Sequence, residues 1–247
     1  MEIDELTRFV HTRRSTRSFK PDPIPDDYVD KILEVARWAM SGANGQPWEF
    51  VVVKDAATRA KIFELFKGHR RLTDILENTR MPEVRHPITG TIQEGQPMFK
   101  DAPVIIAVCG DPRTLQATVL YAQIVGSERE TFHMNMANVT FLIHLAAAAL
   151  GLGSQWVSTS PTWETRLKAL LGVPDFFKIP QLVPVGYPDY RPAPPYRRKL
   201  EELVHRERYD MSRFRTDEDV VKFIIQLRQL TAAAYHPAPV GSQKGVR

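Results

Sequence analysis

Three short stretches carry side chains that could do chemistry together. "HTRRSTRSFK" (residues 11–20) sets Arg13, Arg14 and Arg17 among the hydroxyls of Thr12, Ser15, Thr16 and Ser18. Guanidinium groups satisfy phosphate oxygens in bidentate fashion, and short hydroxyls add donors at close range. The stretch suits an anion, and three uses stay open: a solvated basic face, a nucleic-acid patch, or a pocket for one phosphorylated small molecule. "SGANGQPWEF" (41–50) offers something different. Its glycines expose backbone groups, and the Asn44 and Gln46 amides both donate and accept, as the mixed edge of a flat heteroaromatic ring requires. The same residues, with Ser41, Gly42 and Pro47, also make a plain helix-to-strand turn. "PPYRRKLEE" (194–202) adds Arg197 and Arg198 in a basic knot that, taken alone, reads equally as a solvated charge run.

Charge narrows these uses. The 33 basic and 29 acidic residues are interspersed over 247 positions, for a net charge of only +4. A dedicated nucleic-acid binder carries a one-sided excess, so no nucleic-acid partner is expected. Other chemistries fail on spacing. "GLGSQW" has two glycines of the dinucleotide fingerprint but follows a helix, whereas that motif must open one. No GxxxxGK[ST], GxSxG or HExxH occurs. His133 and His144 share a helical face but lie ~16 Å apart along the axis, too far to hold one metal, so no metal is expected. The lone Cys109, in "PVIIAVCG", reads as an inert thiol in a buried strand. "MEIDELTRFV" lacks an apolar signal region, and "FLIHLAAAALGLG" is too short to span a bilayer. A cytoplasmic protein with no membrane association is expected.

These stretches need elements to hold them. Val29, Ile32, Leu33, Ala36 and Met40 recur at helical spacing behind Asp26 and Asp27. "WEFVVVKD" then reads as a strand and "AATRAKIFELFKG" as a helix. Residues 68–100 are polar and broken by Pro and Gly, the pattern of a mobile lid or binding loop. "DAPVIIAVCGD" is a buried strand, "ERETFHMNMANVTFLIHLAAAALGLG" the longest and most central helix, "SQWVSTSP" strand-like, "WETRLKALLGVP" helical and "IPQLVPVGYP" a buried strand. A helix near 217–234 and a disordered polar tail close the chain. Four strands alternating with helices predict an α/β or α+β arrangement, one sheet covered by helices, in a single domain over 1–247.

Together the stretches resemble the nitroreductase-like flavoprotein family. "RRSTRSF", "SGANGQPWEFVVVKD", "LGLGSQWVSTSP" and "VPVGYP" followed by "YRRKLEELV" stand in that family's order and spacing, over roughly residues 7–205. The resemblance implies a three-layer α+β fold, a central mixed sheet flanked by helices, and an intertwined homodimer with two shared active sites. Residues 68–100 would form the lid and 206–247 a C-terminal extension. FMN would be the tight cofactor and NADH or NADPH the transient hydride donor, in a ping-pong cycle that reduces an electron-poor small molecule such as a nitroaromatic or quinone. Arg13 and Ser15 would hold the phosphate and ribityl end with Arg197, or with Arg198 if the register shifts by one. Arg14 would serve the phosphate or face solvent. Arg17 would face the N1 and C2-carbonyl edge, where reduction leaves negative charge. Ser41, Gly42 and Asn44 would reach the flavin of the partner subunit, with Gln46 and Pro47 shaping the turn. Ser158, Thr159 and Ser160 would pass the N5 edge, Ser160 supplying the side-chain contact. No side-chain acid or base is required. Two alternatives remain: reductive dehalogenation of halophenols, as in iodotyrosine deiodinase-like members, and a non-catalytic anion- or nucleic-acid-binding module. Against the first, residues 68–100 offer Glu77, Glu83 and Arg85 but no tyrosine.

Overall fold

The computed structural model describes residues 2–86, 97–124, 126–190 and 192–235. They fall into two compact units, Met1–Arg70 with Gly95–Arg191, and Arg71–Glu94 with Pro192–Arg247.

The first unit opens with α1 (Ile3–Thr12) and α2 (Asp26–Ala36), and a 3-10 turn at Gly42–Asn44 leads into β1 (Trp48–Val53). Next come α3 (Ala56–Glu77), whose residues from Arg71 onward belong to the second unit, β2 (Val104–Gly110), α4 (Leu120–Ile124) and α5 (Glu128–Ala149). The short strands β3 (Gly153–Ser154) and β4 (Val157–Ser158), α6 (Pro161–Leu171) and β5 (Lys178–Gly186) complete it. The strands form one sheet in the order β1-β2-β5, and both β3 and β4 pair with the far edge of β5. All these pairings are antiparallel; the one parallel pairing among the described residues is an isolated bridge between Ser15 and Ser154. The fold class is α+β, as expected.

Every residue of β2 is buried, which makes it the spine of the core. Val104, Ile106 and Val108 join a cluster with Val29 and Ile32 of α2 and Phe132, Met136, Val139 and Ile143 of α5. Alternation along the strand sends Ile105, Ala107 and Cys109 to the opposite face, where they are equally buried. A sheet covered on both faces is the three-layer arrangement. Beyond it, α6 packs against β5, and an aromatic group of Phe63, Phe66, Phe99 and Trp163 links α3 to α6. Burial pushes the Cys109 thiol up to about 12, in keeping with an inert core residue.

Two expectations need correction. Residues 68–77 are helical, because α3 runs without a break to Glu77. Gly68 sits in open space, and a glycine there costs a helix ~1 kcal/mol without ending it. The expected strand at "SQWVSTSP" is two short strands, interrupted at Gln155 and Trp156. Residues 87–96 of the expected lid, and the tail from 236 onward, lie outside the described residues.

The second unit holds α7 (Leu200–Leu203) and α8 (Asp217–Tyr235), the latter packed against a 3-10 turn at Pro82–Val84. No helix among the described residues is long and apolar enough to cross a membrane.

Candidate functional site

The "RRSTR" segment leaves α1 in extended conformation at Arg13 and lies along β3. Ser15 bridges Ser154, and the Thr16 N–H donates to the Ser154 carbonyl at 2.9 Å. Thr16 is buried against Gly153, where any side chain would collide with it, so the glycine is what lets the two backbones meet. Farther on, the Ser18 hydroxyl donates to Asp189 at 3.2 Å and Phe19 bridges Pro188. The segment is therefore fixed along its length. Arg13, Arg14 and Arg17 are half-buried, not extended into bulk water. Arg14 turns back on α1, donating to the carbonyls of His11 (2.5 Å) and Arg13 (2.8 Å), which satisfies groups the helix end leaves open. Arg17 reaches the Ser15 carbonyl only loosely, at 3.4 Å.

The Ser158–Ser160 segment shares the same edge of β5. Ser154 pairs with Val185 and Ser158 with Gln181. Four residues of strand separate the two points by roughly 13 Å, a gap an extended ribityl phosphate can bridge. The three hydroxyls are placed differently. Ser158 accepts from the Trp156 indole at 3.0 Å, and Thr159 donates to the Ile179 carbonyl. Ser160 stands at the N-terminus of α6, its oxygen 2.7 Å from the Thr162 hydroxyl and 3.3 Å from His69 Nδ1. An open cleft of about 850 Å³ adjoins Thr159 and Ser160, with Arg113, Arg129, Phe132 and Gln181 on its walls. That is room for a ring-sized ligand.

The Ser41–Gln46 turn is strained and anchored. Ala43, Asn44 and Gln46 hold φ of 52°, 53° and 42°, a region that costs a side-chain-bearing residue roughly 1–3 kcal/mol each. The Gly42 N–H donates to Asn135 Oδ1 at 3.0 Å, Asn138 donates to the Met40 carbonyl at 3.0 Å, and the Gln46 N–H donates to the Ser41 hydroxyl at 3.1 Å. A Cβ on Gly42 would lie 2.9 Å from Thr131 Cγ2, so the turn seats directly on α5. Asn44 and Gln46 face outward. In the second unit, Arg197 donates to its neighbour's carbonyl, on Tyr196, at 2.9 Å, while Arg198 pairs with Glu202 at 3.3 Å.

Four side chains escaped sequence reasoning. Asn135 and Asn138 are polar residues on a largely apolar helix, which is the signal the sequence offers for them. His144 lies behind the arginine segment: its Nδ1 is 2.7 Å from the Ser154 hydroxyl and its ring stacks on Trp156. Burial, with the Arg13 charge second, lowers its pKa to about 4, so the ring is neutral at ordinary pH. His69 stacks on Trp163 and touches Ser160. Nothing in one dimension joins position 69 to position 160.

The donor set fits a flavin mononucleotide. Cations and hydroxyls cluster at one point of the β5 edge, and hydroxyls and a helix N-terminus lie at the other. No cluster of metal-ligating side chains exists among the described residues. The fold and these contacts thus define an α+β protein whose arginine segment and Ser158–Ser160 lie along one edge of the sheet. The Nitroreductase family model matches residues 10–187, and the chain belongs to that family of oxidoreductases. It is 29% identical over 208 residues to NADH dehydrogenase of Thermus thermophilus, covering 78% of this chain and 91% of that one. It is 28% identical over 210 residues to iodotyrosine deiodinase 1 of Rattus norvegicus, covering 83% and 70%. The solved structure of nitroreductase A from Vibrio parahaemolyticus superposes with a TM-score of 0.65 at 18% identity, covering 94% of this chain and 86% of that one, a likeness of fold.

Proposed function

We propose that this protein is an FMN-dependent oxidoreductase that uses NADH or NADPH to reduce an electron-poor small molecule such as a nitroaromatic or quinone. One observation carries the reading: the half-buried arginine segment is pinned to β3 at Ser154, whose β5 partner Val185 stands four residues, roughly 13 Å along the strand, from Gln181, the partner of Ser158. Arg13 and Ser15 hold the phosphate end. Arg17 sets a fixed cation at the N1 edge, and Ser160 meets the N5 edge. Bound there, FMN would supply the two-electron hydride chemistry of a ping-pong cycle between NAD(P)H and the acceptor. The protein's share is position and field, so no acid–base dyad is needed.

The working form is a homodimer. The Ser41–Gln46 turn seats on α5 at Asn135, nine residues and roughly 13 Å along the axis from His144, which backs the arginine segment. Exposed Trp38 and Met40 near the turn, and Met134 and Phe141 on α5, suit burial between protomers. The test is a visible spectrum. Purified protein should be yellow, and anaerobic NADH or NADPH should bleach it. A colourless protein that stays apo in excess FMN refutes the reading.

The similarity to iodotyrosine deiodinase 1 and the "SGANGQPWEF" stretch support a second reading, reductive dehalogenation of a halophenol. Among the carboxylates expected in the lid, Glu77 is engaged locally, accepting from the His86 N–H at 2.9 Å and pairing with Arg80 at 3.2 Å. Halide release from an iodophenol by reduced enzyme would favour this reading over the first.

A further inference from the structure

Three polar groups meet at the N-terminus of α6. Ser160 Oγ lies 2.7 Å from Thr162 Oγ1, Thr162 Oγ1 lies 3.1 Å from His69 Nδ1, and His69 Nδ1 lies 3.3 Å from Ser160 Oγ. The His69 ring is held in place by stacking on Trp163, with centroids 6.0 Å apart and planes at 18°. Trp163 is itself 2% exposed and packs against Phe66. Burial, with the Arg70 charge second, lowers the His69 pKa and favours a neutral imidazole. A neutral ring has two tautomers, and they present Nδ1 either bare or protonated.

Counting protons in this triangle gives two states. If Nδ1 is bare, it accepts one hydroxyl proton, and the second hydroxyl proton fills the 2.7 Å bond between the oxygens. This holds whichever hydroxyl faces the ring. Both protons are then spent inside the cluster, and Ser160 presents only lone pairs outward. If Nδ1 carries the proton, it donates to Thr162, and Thr162 donates to Ser160. The Ser160 proton is then free to point outward. A bare Nδ1 thus excludes Ser160 as an outward donor, and a protonated Nδ1 allows it.

We propose that His69 is a positioning residue for the flavin site, its tautomer setting whether the Ser160 hydroxyl donates to or accepts from the N5 position. The proposal rests on the reading that Ser160 faces N5. N5 accepts a hydrogen bond in oxidised FMN and donates one in reduced FMN, so each form calls for a different His69 tautomer, and the difference in free energy between the two tautomers enters the midpoint potential.

The test uses FMN-loaded full-length protein and reads midpoint potential, not turnover. His69→Phe keeps the stack on Trp163 and removes Nδ1, while Ser160→Ala removes the hydroxyl. Each single variant should change the oxidised-to-reduced equilibrium about tenfold, which is ~30 mV for two electrons. The double variant should move no further than Ser160→Ala alone, because His69 acts only through that hydroxyl. An unshifted potential in His69→Phe, or shifts that add in the double variant, overturns the proposal. A shift in His69→Phe with none in Ser160→Ala overturns it as well. Imidazole ¹⁵N shifts of the unsubstituted protein give a second reading that needs no variant to fold. Nδ1 should be protonated with oxidised FMN and bare with reduced FMN, and an unchanged tautomer overturns the proposal. Protein that binds no FMN at all sinks the functional reading and the proposal together. Loaded protein with unshifted potentials sinks only the role of His69.

Discussion

Removing the Arg13 guanidinium should weaken FMN binding selectively. A charge-assisted hydrogen bond contributes about 1.5–3 kcal/mol, so Arg13→Ala is predicted to lower FMN affinity roughly 10- to 100-fold. Riboflavin, which has no phosphate, should bind both proteins alike. Fluorescence titration with the two ligands makes the comparison, and an equal loss for both would place Arg13 away from the phosphate. Arg17→Ala is predicted to keep FMN but lower its midpoint potential by ~30 mV, equivalent to ~1.4 kcal/mol for two electrons. An unchanged potential removes Arg17 from the N1 edge. The two residues stand four positions apart in one fixed segment yet should fail differently, one in affinity and the other in potential.

Helix α5 organises the site from behind. Asn135 and Asn138 hold the strained turn, while His144 contacts the strand that carries the arginine segment. Asn135→Ala leaves the Gly42 N–H without its partner and is predicted to cost about 1–3 kcal/mol, the penalty for an unsatisfied part-buried donor. Urea denaturation checks the stability, and gel filtration with bound-flavin absorbance checks whether cofactor retention falls too. Loss of stability with normal flavin content would make the turn a structural device only. Polar residues on an otherwise apolar helix were visible in the sequence, but their partner, 93 residues away, was not. The full length of α3 was also hidden. Gly68 and the charged run after it looked like an end, although helical hydrogen bonding tolerates one glycine where nothing crowds it.

For the molecule as a whole, the buried neutral His144 predicts how stability responds to acid. Its folded pKa of about 4 lies below the ordinary 6.5, so between these values the unfolded chain binds a proton that the folded one does not. The contribution is fully present above pH 6.5, falls as pH drops toward 4, and is gone below that. The loss is on the order of 3 kcal/mol. His69, lowered in the same direction, adds to the slope. Urea midpoints of FMN-free protein at pH 7.5, 6 and 4.5 should fall in that order, and His144→Phe should flatten the decline. A decline just as steep in the variant would assign it to other groups.

Residue type and short-range order were enough to predict an α/β or α+β arrangement with one sheet covered by helices, the buried strands around Cys109 and Val183, and the three stretches whose side chains suit binding. Hydrophobic periodicity and turn residues act over a few positions, and a single chain displays them directly. Only the tertiary structure decided that Ser15 lies against Ser154, that Arg14 turns back on its own helix, and that His69 reaches Ser160. The Ser15 and His69 contacts depend on strand register and helix packing between segments 139 and 91 residues apart, for which the sequence carries no local mark.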